Sequence, residues 1–171
     1  MPGTQTRVVN EELQLHCPEQ MMTGYWSGDP NGRLHSNGWY QTGDACYQRD
    51  DGYIKMIGRA QDIILRGGEN ISPLEIENTL LSNTNVEDVA IVGYPDDRLG
   101  SRLAAVVVKD GDVSLDDLRD HCRGVGLSKA KWPEFMVCID KIPLSAIGKV
   151  QRGVLEDLVR DEFRSDQSGT Y

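Results

Sequence analysis

The sequence predicts an α+β fold in two parts. A strand-and-loop segment comes first, followed by a small α/β domain in which helices pack on a three-stranded sheet. Three observations predict it. Up to about Gly58 the apolar residues alternate with polar ones or form short runs bounded by Gly, Pro, Asp and Asn. From Ile71 the signals change to mixed helix and strand, and with the short strand candidate Ile63-Ile64-Leu65 before them they run in the order strand, helix, strand, strand, helix, strand, the order of a small layered α/β unit. The 171 residues, 39% apolar and 26% charged, suffice for one ordinary domain or two small pieces.

Leu13-Gln14-Leu15 alternates as a half-buried strand does. Two glycine-aromatic clusters follow, Gly24-Tyr25-Trp26 and Gly38-Trp39-Tyr40, separated by the loop residues Asp29-Pro30-Asn31-Gly32. Asp51-Gly52 is a turn, and Tyr53 to Ile57 a strand. The stretch from Gly58 to Gly68 reads as a hinge around the short strand Ile63-Ile64-Leu65, with Gly67-Gly68 in a plain strand-to-helix loop. Ser72-Pro73-Leu74-Glu75 starts a helix: Ser72 can cap, Pro73 suits the first turn and Glu75 stands where a capping box needs it. That helix should reach about Leu81. Val89 to Val92 is a strand, Tyr94-Pro95-Asp96-Asp97 a loop, Leu103 to Val108 a strand and Asp110-Gly111-Asp112 a turn. Ser114 and Asp117 open a second helix with Leu115, Leu118 and Cys122 on one face. Met136 to Ile139 is the last strand. Leu155, Leu158, Val159 and Phe163 mark the final helix, and residues 165–171 read as a disordered tail.

Composition excludes several functions. With 27 acidic and 18 basic residues the net charge is −9, which argues against nucleic-acid binding through a broad positive face. The longest uncharged apolar run, Leu103 to Val108, is strand-sized, so no membrane span is predicted. Cys17, Cys46, Cys122 and Cys138 lie far apart without a C-x-x-C pair, which favours reduced thiols over zinc or disulfides. His16, His35 and His121 stand in no recognisable triad or metal spacing. Met1-Pro2-Gly3-Thr4 does not begin a secretory signal, so the expected location is cytoplasmic.

A few residues carry possible chemistry. Thr42-Gly43-Asp44 reads as a tight turn holding the Asp44 carboxylate outward, where it could accept from two neighbouring sugar hydroxyls; the plainer reading is a turn aspartate capping its own backbone. Arg59 could grip ribose or phosphate, or merely pair with Asp62. Gly67-Gly68 would let backbone approach a thin ligand closely. Lys149 follows Gly148 on a loop, but Pro143 and Val150 break the phosphate-loop pattern of a P-loop lysine. Lys149 could still neutralise charge on a carboxylate and a phosphate in a neighbouring site. Tyr25, Trp26, Trp39 and Tyr40 read as packing for a partial barrel rather than as a stacking platform.

The order of these motifs is more specific than any one of them. Gly38-Trp39-Tyr40-Gln41-Thr42-Gly43-Asp44, Asp51-Gly52-Tyr53, Gly58-Arg59-Ala60-Gln61-Asp62, the run from Gly67 to Glu77, and Gly148-Lys149 together resemble the adenylate-forming superfamily of acyl- and aryl-CoA synthetases. The resemblance implies residues 1–58 as the last strands of a large domain's partial β-barrel and 59–164 as a C-terminal lid domain. It implies ATP and CoA as substrates, with Mg2+ accompanying ATP on ligands outside this chain. Asp44 and Arg59 would bind nucleotide, Lys149 would assist adenylation, Gly67 and Gly68 would face the CoA arm, and Gln61 with Asp62 would form the hinge of a domain swing. The family usually has Asp or Lys at the hinge position that Gln61 occupies. The family's phosphate loop and acyl pocket precede these motifs, so the missing large domain counts as a partner and the isolated chain is expected to be inactive. Gly67 to Ile71 looks like fatty-acid and aryl-acid ligases. Gly126 to Glu134 is similar to aryl-carboxylate ligases, some of which load a pantetheinylated carrier protein instead of CoA. A non-catalytic docking module is the remaining alternative.

Overall fold

The computed structural model describes residues 3–19, 21, 26, 28 and 32–168, with side chains through Asp166. The expected cluster at Gly24-Tyr25, most of the loop from Asp29 and the last three residues lie outside the described set. The chain divides into two compact units, residues 1–63 and 64–171.

The first unit is an antiparallel four-stranded sheet in chain order: β1 (Gln5–Val9), β2 (Glu12–His16), β3 (Tyr40–Gln48) and β4 (Ile54–Arg59). β1 carries no apolar alternation and was not expected. Its two-residue turn to β2 puts both Asn10 (φ 51°) and Glu11 (φ 61°) in the left-handed region. That is the geometry of the hairpin turn usually signalled by Asn-Gly, here without its glycine. A 3-10 turn, Ala60–Asp62, follows β4 and packs against β3. Hence the division falls after Ile63 rather than after Gly58. Trp26 is fully exposed, so it does not pack as expected, whereas Trp39 lies 5.3 Å from the His16 ring and under Arg7.

The second unit opens with the hairpin β5 (Ile64–Arg66) and β6 (Glu69–Ile71). Then come α1 (Pro73–Leu80), β7 (Val86–Asp96), β8 (Gly100–Lys109), α2 (Leu115–Gly124), β9 (Phe135–Cys138) and α3 (Arg152–Ser168). β7, β8 and β9 form the expected three-stranded sheet in that order, β7 antiparallel and β9 parallel to β8. The expected loop at 94–97 is instead the end of β7. Pro95 is tolerated because β7 is an edge strand of this sheet. The turn itself is tied by Asp96, whose carboxylate accepts from the Leu99 (2.8 Å) and Arg98 (3.1 Å) amides and pairs with Arg102. The Leu99 bond, reinforced by Arg102, holds the Asp96 carboxyl below its ordinary range.

The starts of α1 and α2 are both capped. The Ser72 hydroxyl accepts from Glu75 N–H at 3.4 Å, while the Glu75 carboxylate engages Lys131 at 2.7 Å. Ser114 and Asp117 form a complete capping box. α3 continues past the expected boundary at 165 through Ser168, so the first residues of the expected tail are helical.

The core explains why β8 reads as one continuous apolar run. Its odd residues Leu103, Ala105 and Val107 pack with Ile76, Leu80, Leu118 and Cys122 of α1 and α2. Its even residues Ala104, Val106 and Val108 pack with Leu155 and Val159 of α3. A central strand covered on both faces needs no polar alternation.

Candidate functional site

Asp44 does not sit in a turn. It lies inside β3, at a bulge. Across β2 and β3, Gln14 faces Gln41 and Glu12 faces Ala45, so residues 42–44 of β3 oppose Leu13 alone. Gly43 makes this possible with φ 76°, a backbone that side-chain-bearing residues rarely adopt. The Glu12 carboxylate accepts from Gly43 N–H at 2.8 Å and from the Gln41 amide at 3.4 Å. The Thr42 hydroxyl donates to Leu13 C=O and accepts from Asp44 N–H, both at 3.0 Å.

The bulge aims Asp44 at its cross-strand neighbour on β4, Arg59. Arg59 Nη1 lies 2.6 Å from Asp44 Oδ1 and donates to Thr42 C=O at 3.2 Å. Arg59 therefore pairs with Asp44, not with Asp62. Both side chains keep solvent exposure, 29% for Asp44 and 47% for Arg59, so a ligand hydroxyl can still reach them. Behind them, burial, with Asp44 and Glu12 adding negative charge, pushes the Cys46 thiol pKa up and keeps it protonated. Gln61 and Asp62 follow in the 3-10 turn.

The other predicted residues belong to the second unit. Gly67 (φ 59°) and Gly68 (φ 87°) are the central residues of the β5–β6 hairpin, not a strand-to-helix loop. Two successive left-handed residues make a primed turn, which suits the twist of paired strands. Gly67 N–H donates to Leu99 C=O at 2.8 Å, so the tip is pinned at its first glycine, and nothing lies within 4 Å of a Cβ built on Gly68.

Lys149 sits at the end of a closed loop. Leu144 and Val150 pair as an antiparallel bridge, Ser145 N–H donates to Lys149 C=O at 2.7 Å, and Lys149 N–H donates to Ser145 Oγ at 3.1 Å. Gly148, at φ 76°, turns the chain. The Lys149 side chain is exposed, and among the described residues it pairs with no carboxylate. Leu144, Ile147, Val150 and Val154 stand exposed around it.

Residues 75–149, ending on Lys149, match the family model described as AMP-binding enzyme C-terminal domain. This stretch is an AMP-binding enzyme C-terminal domain. Over nearly its whole length the chain is similar to the C-terminal portion of adenylate-forming enzymes. It is 34% identical over 173 residues to the mitochondrial medium-chain acyl-CoA ligase ACSF2 of Homo sapiens, covering 92% of this chain and 28% of that protein. It is 40% identical over 131 residues to the medium-chain fatty-acid–CoA ligase of Escherichia coli, covering 74% and 23%. Among solved structures, the o-succinylbenzoate CoA synthetase of Bacillus subtilis with its acyl-adenylate superposes with a TM-score of 0.84 at 29% identity, over 92% of this chain and 34% of that one. ATP-bound MatB from Rhodopseudomonas palustris gives 0.81 at 27%, over 95% and 35%. The chain thus spans about a third or less of the proteins it matches.

Within this AMP-binding C-terminal domain and the strands before it, sequence reasoning missed three polar residues. Glu12, which holds the bulge, carries no local signal because its partner lies 31 positions away. Glu77 and Arg152 form a part-buried pair 75 positions apart. Glu77 could have been flagged as a charge at a buried position of α1, between Ile76 and Leu80. Among the described residues no three His, Cys, Asp or Glu side chains gather closely enough to hold a metal ion, and no helix is long and apolar enough to cross a membrane.

Proposed function

We propose that this chain is the C-terminal part of an ATP-dependent ligase that activates a carboxylic acid as its acyl-adenylate and transfers it to the thiol of CoA. The observation that carries the reading is the exposed Lys149 ammonium, which has no carboxylate partner among the described residues, at the end of the matched family domain. In the first step a substrate carboxylate attacks the α-phosphate of ATP, forming the acyl-adenylate and releasing pyrophosphate. Lys149 contacts the carboxylate and phosphate oxygens and stabilises the negative charge that builds between them. Asp44 accepts hydrogen bonds from the ribose hydroxyls, and Arg59 orients Asp44 and contacts the sugar. In the second step the CoA thiol attacks the acyl carbon and AMP leaves. The pantetheine arm passes the Gly67-Gly68 hairpin tip at Gly68, where nothing among the described residues lies within 4 Å of an added Cβ. A rotation at Gln61-Asp62 would exchange the two faces between steps.

The test is Lys149→Ala in a protein that carries the large domain. Adenylation should fall by about a hundred- to a thousandfold, the size of one lost electrostatic contact to the transition state. Thioesterification of supplied acyl-adenylate should persist. Equal loss of both half-reactions would refute the role of Lys149. Supplying CoA or a pantetheinylated carrier protein as acceptor separates the two forms of the second step.

A further inference from the structure

We infer that the part-buried pair Glu77–Arg152 is a positioning device that holds the Lys149 loop in place, an inference that rests on the reading of Lys149 given above. Arg152 is the first residue of α3, three positions after Lys149. Its Nη1 donates to Glu77 Oε1 at 2.9 Å and to Ile91 C=O at 2.7 Å, and its Nη2 donates to Glu77 Oε2 at 3.2 Å. Ile91 N–H donates to the same Glu77 Oε1 at 2.8 Å. One guanidinium thus ties the start of α3 to both α1 and β7.

The loop has little else to hold it. Ile142 and Leu155 are buried, but every side chain from Pro143 to Val154 is at least partly exposed. The loop closes on itself through the Leu144–Val150 bridge, Gln151 N–H to Pro143 C=O at 2.9 Å, and the Gln151 side chain to Leu144 C=O at 2.7 Å. Those bonds fix its shape but not its direction relative to the sheet. Direction comes from the anchored residue at its exit, whose side chain is only 20% exposed against an 11% exposed Glu77. A planar fork bonded to three oxygens permits one orientation. A lysine ammonium cannot reproduce the two parallel bonds.

The experiment compares Arg152→Lys and Glu77→Gln with Leu118→Ala, a core change on α2. In this chain, amide hydrogen exchange at Ser145, Gly148 and Lys149 should accelerate about tenfold more in the two pair variants than in Leu118→Ala, the effect of breaking a part-buried charged hydrogen bond at the loop's exit. Equal acceleration in all three would overturn the inference. In a protein carrying the large domain, Arg152→Lys should lower the adenylation kcat with little change in the KM for ATP, and should spare thioesterification. Loss of both half-reactions in step with Leu118→Ala would mean a merely structural pair and would also overturn it. Lys149→Ala is run in parallel. If it leaves adenylation intact, the functional reading fails, while the exchange result still decides whether the pair holds the loop.

Discussion

Replacing Gly43 with alanine perturbs the bulge that presents Asp44. The glycine sits at φ 76°, and an added Cβ would lie 3.1 Å from Arg33 Nη1 and 3.3 Å from Nη2. The steric part is small, because the atoms met are the far end of a flexible side chain whose bond to Thr42 C=O is already long, at 3.4 Å. The backbone part is not small. An L side chain in the left-handed region costs about 1–2 kcal/mol. If the peptide rotates to escape, Gly43 N–H leaves Glu12 Oε1, and a part-buried bond to a carboxylate is lost at about 1–3 kcal/mol. Either route predicts a loss of about 1–3 kcal/mol. Asparagine tolerates this conformation better, so Gly43→Asn should lose less than Gly43→Ala. Urea unfolding of the chain measures both, with midpoints shifting at constant slope. Equal stability of the two variants, or alanine as stable as wild type, would refute a positive-φ requirement at this position.

Leu118→Ala, at a fully buried site facing the odd residues of β8, should cost about 2.7–5 kcal/mol by thermal or urea unfolding, whereas exposed Val154→Ala should stay within about 0.5 kcal/mol. A thiol reagent on the native chain should label exposed Cys138 rapidly and reach Cys17, Cys46 and Cys122 only on unfolding; burial raises the Cys46 and Cys122 thiol pKa values as well as hiding them. Asp96 and Asp117 have carboxyls held below the ordinary range, Asp96 chiefly by Leu99 N–H and Asp117 chiefly by the Ser114 hydroxyl. A depressed folded pKa contributes stability that is full above the unfolded pKa and is lost as pH falls through the folded one, so Asp117→Asn should flatten the acid limb as pH falls through and below the ordinary carboxylate range. A limb unchanged in that variant would count against the cap.

The second unit was more legible than the first, for a physical reason. Its helix starts are local chemistry: Ser72 with Pro73, and Ser114 with Asp117, announce themselves within four residues. The run from Leu103 to Val108 could be read as a buried strand because coverage on both faces leaves it without polar interruptions. The first unit depends on pairing over distance. Gly43 suggested a turn, and only the register against Glu12 and Gln14 turns it into a bulge. Gly67-Gly68 similarly suggested a loop, since β6 offers just three residues, Glu69-Asn70-Ile71, of which Ile71 alone is buried. Of the candidate site, Asp44, Arg59 and Lys149 were visible as residues, but the Asp44–Arg59 pair was not. The expected partner of Arg59 was its sequence neighbour Asp62, and strand pairing supplied Asp44 instead.

The two-sided burial of β8 also bears on aggregation. Ala104 to Val108 is a short, uncharged, proline-free segment rich in valine, the composition that stacks readily into intermolecular sheets once it meets water. Its even-numbered face is shielded by α3, through Leu155 and Val159. A protein cut before Arg152 would keep the three strands but uncover Ala104, Val106 and Val108 together. Its failure would be self-association rather than simple unfolding, which gives the final helix a protective duty separate from any chemistry at Lys149.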